Sequence, residues 1–182
     1  MIRVMIVDDH AIVRKGIRAL LTESGGFEIV AEAANGEEAV QRAAETQPDV
    51  ILMDLLMPGM DGIEATRQIT GSRPQTRILV LTSFAADNKL FPAIKAGALG
   101  YLLKDSSPEE LVRAIRMVHR GEPALHPTIA RKLLHEVAHP AGLEPAPEVL
   151  TARELVVYLA WLKFCDEFHN IETAAQFSKD RT

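Results

Sequence analysis

The stretch ILMDLLMPGMDG, residues 51–62, begins with the texture of a fully buried strand and ends on a carboxylate, Asp54, followed by a Pro-Gly turn. Working outward, the first 120 residues alternate two textures. Short β-branched runs are IRVMIV (2–7), FEIVAEA (27–33), VILMD (50–54), RILVLT (77–82) and GYLLK (100–104). Between them lie stretches with helical spacing: 11–23, 36–46, 62–70, 89–97 and 108–121. In the first of these, Ile12, Val13, Ile17, Leu20 and Leu21 are expected on one apolar face. Strand alternating with helix five times predicts an α/β fold, a five-stranded parallel sheet with helices on both faces. Asn35-Gly36 and Pro58-Gly59 carry turn chemistry, and Pro108-Glu109-Glu110 is a helix start.

Composition sets outer bounds. The chain has 182 residues, 47% hydrophobic and 25% charged, as in an ordinary globular protein. No apolar stretch reaches the roughly 18 residues of a bilayer span. The start, MIRVMIVDDH, lacks the unbroken apolar region of a signal peptide, so a cytoplasmic protein is expected. A single cysteine, Cys165, excludes an internal disulfide and a cysteine zinc site. The net charge of −5 argues against a chain broadly coated for nucleic acid.

In open parallel sheets, functional groups gather at the carboxyl ends of the strands. Those ends carry Asp8 and Asp9, then Asp54, then Thr82 and Ser83, then Lys104. Converging carboxylates repel unless a cation sits among them, and Mg²⁺, with its preference for hard oxygen ligands, suits the set. Such a site is built for phosphoryl transfer onto an aspartate oxygen. Each residue alone has a plainer reading: the acids as a helix cap, Asp54 as a turn residue, Thr82 as β propensity, Lys104 as an edge charge. Their coincidence at one end of consecutive strands favours a site. His10, in the first connection, invites a metal or phosphate role, against which a loop or capping histidine is the favoured reading, and the other histidines lack ligand spacing.

VDDH (7–10), MDLLMPGMDGIEA (53–65), LTS (81–83) and GYLLKD (100–105) stand in the order and separations of the receiver domains of bacterial two-component response regulators, which the chain resembles over about residues 1–121. VDDHAIVRKGIRALL, GYLLKD, HRGEP and LTARE point within that group to regulators of the LuxR/NarL type. The resemblance implies a flavodoxin-like receiver fold and assigns roles. Asp54 would accept the phosphoryl group from a sensor histidine kinase. Asp9 would ligate Mg²⁺ directly, Asp8 through water, with Asp54 and the backbone carbonyl of Leu56 completing the protein's share. Lys104 would pair with the phosphoryl group. Thr82, with Ser83 beside it, would be drawn inward and let Tyr101 rotate from an outward to a buried rotamer. The same resemblance implies a homodimer when phosphorylated, and no catalysis beyond the receiver's own Mg²⁺-dependent phosphorylation and dephosphorylation. Leu56 and Phe84, each two positions past a site residue, are apolar and flank the route of water, so slow self-dephosphorylation is expected.

Past the receiver (1–121), residues 122–149 read as a helix (126–139) and a linker with three prolines, and residues 150–182 as the remnant start of a helix-turn-helix domain with a divergent helical tail. LTARE (150–154) provides a capping box through Thr151 and Glu154, but no recognition helix follows. The segment has 33 residues, while four short helices at about 11 residues each need more. It carries four basic and five acidic residues, a poor surface for DNA. Impaired DNA output is therefore expected, the alternative being a working DNA-binding regulator with an atypical C-terminus. A helix from about 152 to 168, with Leu155, Val156, Leu159 and Leu162, would dock on the rest of the chain or form a partner surface. Two other classes fail on residues. Aspartate-nucleophile phosphatases need a second acid two positions after the nucleophile, where this chain has Leu56, and a nucleotide site lacks its GxxxxGK loop.

Overall fold

The computed structural model describes residues 1–83, 87–125 and 129–130, without the side chains of residues 87 and 88. The expected helix at 126–139 is described only at Ile129 and Ala130. Phe84, the linker and the tail from residue 150 lie outside the described residues. In chain order the elements are β1 (Ile2–Val7), α1 (Ala11–Ser24), β2 (Phe27–Ala33), α2 (Gly36–Thr46), β3 (Val50–Met53), α3 (Gly62–Ser72), β4 (Arg77–Thr82), α4 (Asp87–Lys95), β5 (Gly100–Leu103), α5 (Pro108–His119) and β6 (Ala124–Leu125).

All paired strands are parallel, in the order β2-β1-β3-β4-β5-β6. The five expected strands are present. The sixth, β6, pairs its two residues with Gly100 and Tyr101 of β5. A two-residue strand behind Pro123 carries no period that a sequence pattern could register.

Strand alternation divides the core. Met5, Val7, Ile51, Met53, Ile78 and Val80 pack on one face with residues of α2, α3 and α4. Val4, Ile6, Val50, Leu52, Leu79 and Leu81 pack on the other with α1 and α5. Both faces of β1, β3 and β4 are thus covered, which is why their sequences are continuously apolar rather than alternating.

The apolar face of α1 differs from its expectation in one residue. Ile17 and Leu21 are buried and Val13 and Leu20 partly so, but Ile12 is 78% exposed. At 100° per residue Ile12 lies roughly 125° around the helix from the centre of the stripe formed by Val13, Ile17, Leu20 and Leu21, so it faces away from the core. Asn35-Gly36 is a helix start rather than a turn: the Asn35 side chain accepts from the Glu38 amide at 2.8 Å, and Glu38 accepts from the Ala34 amide at 2.9 Å. Ser107 and Glu110 form a full reciprocal capping box ahead of α5, with Pro108 in the first turn. Among the described residues no helix is long and apolar enough to cross a membrane.

Candidate functional site

Backbone pairing brings the acids together. The Asp8 amide donates to the Ala33 carbonyl at 3.1 Å and the Asp54 amide to the Val7 carbonyl at 2.9 Å. Both residues therefore continue the sheet ladder by one step, and their carboxylates leave it on the same edge. On the other flank the Lys104 amide donates to the Thr82 carbonyl at 2.8 Å, tying the ends of β4 and β5.

The loop after Asp54 is held from below. Its carboxylate Oδ1 accepts from the Leu56 amide at 3.3 Å, folding the turn back on the acid. Gly59, at φ +74°, supplies the left-handed step after Pro58 that a side chain would resist. The Met60 amide donates to Glu37 at 3.0 Å and its carbonyl accepts from Gly36 at 3.2 Å, so the loop is clamped to the start of α2. Gly62 comes so close that an added Cβ would stand 2.0 Å from the Asp54 carbonyl oxygen. Asp61 caps α3 through the amides of Ile63 and Glu64, at 3.1 and 2.9 Å, and pairs with Lys89 of α4 at 3.2 Å.

The carboxylates are buried, Asp8 to 2% and Asp54 to 4% exposure. Lys104 Nζ lies 2.6 Å from Oδ2 of each, a short charge-assisted pair of contacts. Burial alone would lower the Lys104 pKa, but hydrogen bonds to Asp54 and Asp8 and their negative charge outweigh it and hold the ammonium above its ordinary value. One ammonium offsets only part of the charge of three acids.

Asp9 Oδ1 is buried and accepts no hydrogen bond. It lies with ligand atoms of Asp8, Asp54 and His10 in a group whose members are all within 4.8 Å of one another. Oxygen donors in excess of cations, one of them without a hydrogen-bond partner, fit a hard divalent ion.

The remaining expected residues fall around this centre. Thr82 is buried to 2% at the end of β4, and Ser83 beside it is exposed. Tyr101 is fully buried in the cluster that includes Val80, Leu90 and Ile129. The Leu56 side chain is 47% exposed.

One contributor escapes a reading by sequence, and a second stands differently from its favoured capping reading. Arg14 donates through Nη1 to the Asp8 carbonyl at 2.6 Å and through Nε to Glu32 at 3.2 Å, while Arg18 reaches the other Glu32 oxygen at 2.6 Å. Burial opposes ionisation of Glu32, but the guanidiniums of Arg18 and Arg14 prevail and hold its carboxyl below the usual range. The contact of Arg14 with Asp8 is made to a main-chain carbonyl, which no side-chain spacing in the sequence signals. His10, read as a capping histidine, occupies the N-cap position but makes no side-chain cap. Its Nδ1 turns toward the acids, 2.7 Å from Asp9 Oδ1 and 3.4 Å from Asp8 Oδ1.

Comparison with known proteins agrees with this geometry. Residues 4–116 match the response regulator receiver domain. The transcriptional regulatory protein LiaR of Bacillus subtilis (strain 168) is 48% identical over 157 residues, 86% of this chain and 74% of that protein. The response regulator protein VraR of Staphylococcus aureus is 42% identical over 158 residues, 87% of this chain and 74% of that protein. Among solved structures, a LuxR-family two-component response regulator from Aurantimonas sp. SI85-9A1 aligns with a TM-score of 0.72 at 43% identity, over 76% of this chain and 99% of that one. The receiver domain of the response regulator NarL from Mycobacterium tuberculosis aligns with a TM-score of 0.64 at 35% identity, over 66% and 97%. A matching receiver domain, relatives of this identity and an acidic site at the sheet's carboxyl edge lead to one conclusion: the chain belongs to the two-component response regulators of the LuxR/NarL type.

Proposed function

We propose that this protein is switched by a phosphoryl group that Asp54 accepts from a sensor histidine kinase. The observation that carries the reading is the contact of Lys104 with the buried carboxylates of both Asp54 and Asp8 at 2.6 Å. The contact sets a cation against Asp54 at the carboxyl edge of the sheet, where a donor would arrive. An Asp54 oxygen attacks phosphorus, the P–N bond to the kinase histidine breaks, and the imidazole leaves with the electron pair. Lys104 neutralises charge on the transferred group, and the Thr82 hydroxyl hydrogen-bonds it.

Asp9 directly, Asp8 through water, Asp54 and the Leu56 carbonyl would hold Mg²⁺. The ion supplies charge neutralisation and orients the phosphoryl oxygens. Tyr101, buried here, occupies the position that an inward movement of Thr82 would stabilise. The chemistry ends with the receiver's own phosphorylation and dephosphorylation, and the output is binding in the cytoplasm, with a homodimer of the phosphorylated form.

The receiver occupies residues 1–121, the helix and linker 122–149 and the remnant domain 150–182. In this division the net-acidic last segment is a poor DNA reader, so the output is a protein contact. Relatives named as transcriptional regulators favour the second reading, a DNA-binding regulator with an atypical end.

Phosphotransfer is tested by incubating the full chain with Mg²⁺ and acetyl phosphate and resolving the product on a phosphate-affinity gel. A shifted band absent in Asp54→Asn supports the proposal. The two outputs are separated by anisotropy of a labelled duplex at low salt, with and without beryllofluoride. Salt-sensitive binding that strengthens with beryllofluoride selects the DNA reader, and no binding in either state selects a protein partner.

A further inference from the structure

We propose that His10 is a nitrogen ligand of the divalent ion held by Asp8, Asp9 and Asp54, and that it raises the site's preference for first-row transition ions such as Mn²⁺ and Co²⁺ relative to Mg²⁺. The proposal rests on the reading that the three aspartates form a cation site.

The distances suit shared coordination. Two donors bound at right angles to one ion, each at about 2.1 Å, stand about 3.0 Å apart. His10 Nδ1 lies 2.7 Å from Oδ1 of Asp9, the acid assigned direct ligation, close to that value, and 3.4 Å from Oδ1 of Asp8, which would reach the ion through water. The closer contact is made to a carboxylate oxygen that is buried and has no hydrogen bond to satisfy it.

The backbone of His10 is fixed from both sides. Its amide donates to Asp8 Oδ1 at 2.8 Å, and its carbonyl accepts from Val13 and Arg14 at 3.1 and 3.2 Å. The side chain takes no part in capping, so its torsions are free to serve the acids. Lys104 engages Oδ2 of both Asp8 and Asp54, while Oδ1 of Asp9 has the imidazole for a neighbour.

The chemistry of the donor sets the consequence. Mg²⁺ is served by oxygen and gains little from imidazole, whereas affinity for N,O sites rises from Mn²⁺ through Co²⁺. A histidine that acts only as a counter-charge has the opposite signature, since its removal would strengthen every cation alike.

The test is calorimetric titration of the full chain with Mg²⁺, Mn²⁺ and Co²⁺, comparing the unaltered protein with His10→Ala and His10→Asn. The visible spectrum of the Co²⁺ form is recorded in parallel. Binding that persists in Asp9→Asn is assigned elsewhere and subtracted. His10 is 65% exposed at its side chain and its structural bonds are from the backbone, so both variants keep the fold, checked by circular dichroism. The expected result is a Co²⁺ affinity about tenfold lower in both variants with Mg²⁺ affinity nearly unchanged, and an altered Co²⁺ spectrum. Equal effects on all ions, tighter binding of all ions, or an unchanged spectrum would overturn it. Absence of any Asp9-dependent cation binding by the unaltered chain would instead sink the underlying cation-site reading.

Discussion

Lys104 Nζ lies 2.6 Å from Asp54 Oδ2, joining residues 50 positions apart at the ends of β5 and β3. The same ammonium is 2.6 Å from Asp8. This cation offsets negative charge that burial would otherwise penalise, because the two acids it touches are almost fully buried.

Replacing Lys104 by Met leaves buried carboxylates unpaired. In metal-free buffer the variant is expected to lose about 3 kcal/mol of stability by urea denaturation at neutral pH. Mg²⁺ should return more stability to the variant than it adds to the unaltered chain. The raised pKa fixes the pH window: the lysine's contribution is present below the ordinary lysine value, about 10.4, and is lost as pH rises through the higher folded value. An equal response of both proteins to Mg²⁺ would count against this account.

Gly62→Ala tests the backbone support of Asp54. A Cβ 2.0 Å from the Asp54 carbonyl oxygen, and 2.9 Å from its carbonyl carbon, forces main chain apart. The expected cost is about 2–3 kcal/mol in urea denaturation, with slower phosphorylation of Asp54 by acetyl phosphate. A variant of unchanged midpoint and rate would show that the approach is not restrictive.

Much of this was legible in the sequence because two periods carried it. Apolar runs bounded by helical spacing located five strands and five helices within a few residues, and the ends of those strands brought forward Asp8, Asp9, Asp54, Thr82 and Lys104. Ile12 was misplaced because it was grouped with its apolar neighbours in sequence, although the 100° helical step sets it off their face. The two-residue β6 was invisible because register with β5, not composition, makes it a strand. Arg14 was missed for another reason: its partner is a main-chain carbonyl, which no side-chain pattern announces.

Glu32 offers a prediction on the acid side. Its carboxyl is opposed by burial but held below the usual range by Arg18 and Arg14. Its contribution is present above the ordinary glutamate value, about 4.3, and is lost as pH falls through the lower folded value. Glu32→Gln should therefore be less stable at neutral pH and lose less on acidification, as read by melting temperature from pH 7 downward. A parallel shift at every pH would place the effect in packing instead.

Leu56 offers a prediction about the lifetime of a phosphorylated state. It sits two positions after Asp54 with a half-exposed apolar side chain that offers water no hydrogen bond. Leu56→Asn should shorten the lifetime several-fold after the phosphodonor is removed, and pairing it with Phe84→Glu should shorten it further. Lifetimes equal to that of the unaltered chain would exclude an apolar barrier at this position.

The central claim is that Asp54 is the phosphoacceptor, and the direct measurement is chemical mapping of the acyl phosphate. The full chain is phosphorylated with acetyl phosphate and Mg²⁺, reduced with borohydride and digested for peptide mass spectrometry. The account predicts homoserine at position 54, absent when Mg²⁺ is omitted. Homoserine at Asp8 or Asp9, or none anywhere in a folded protein, would contradict it.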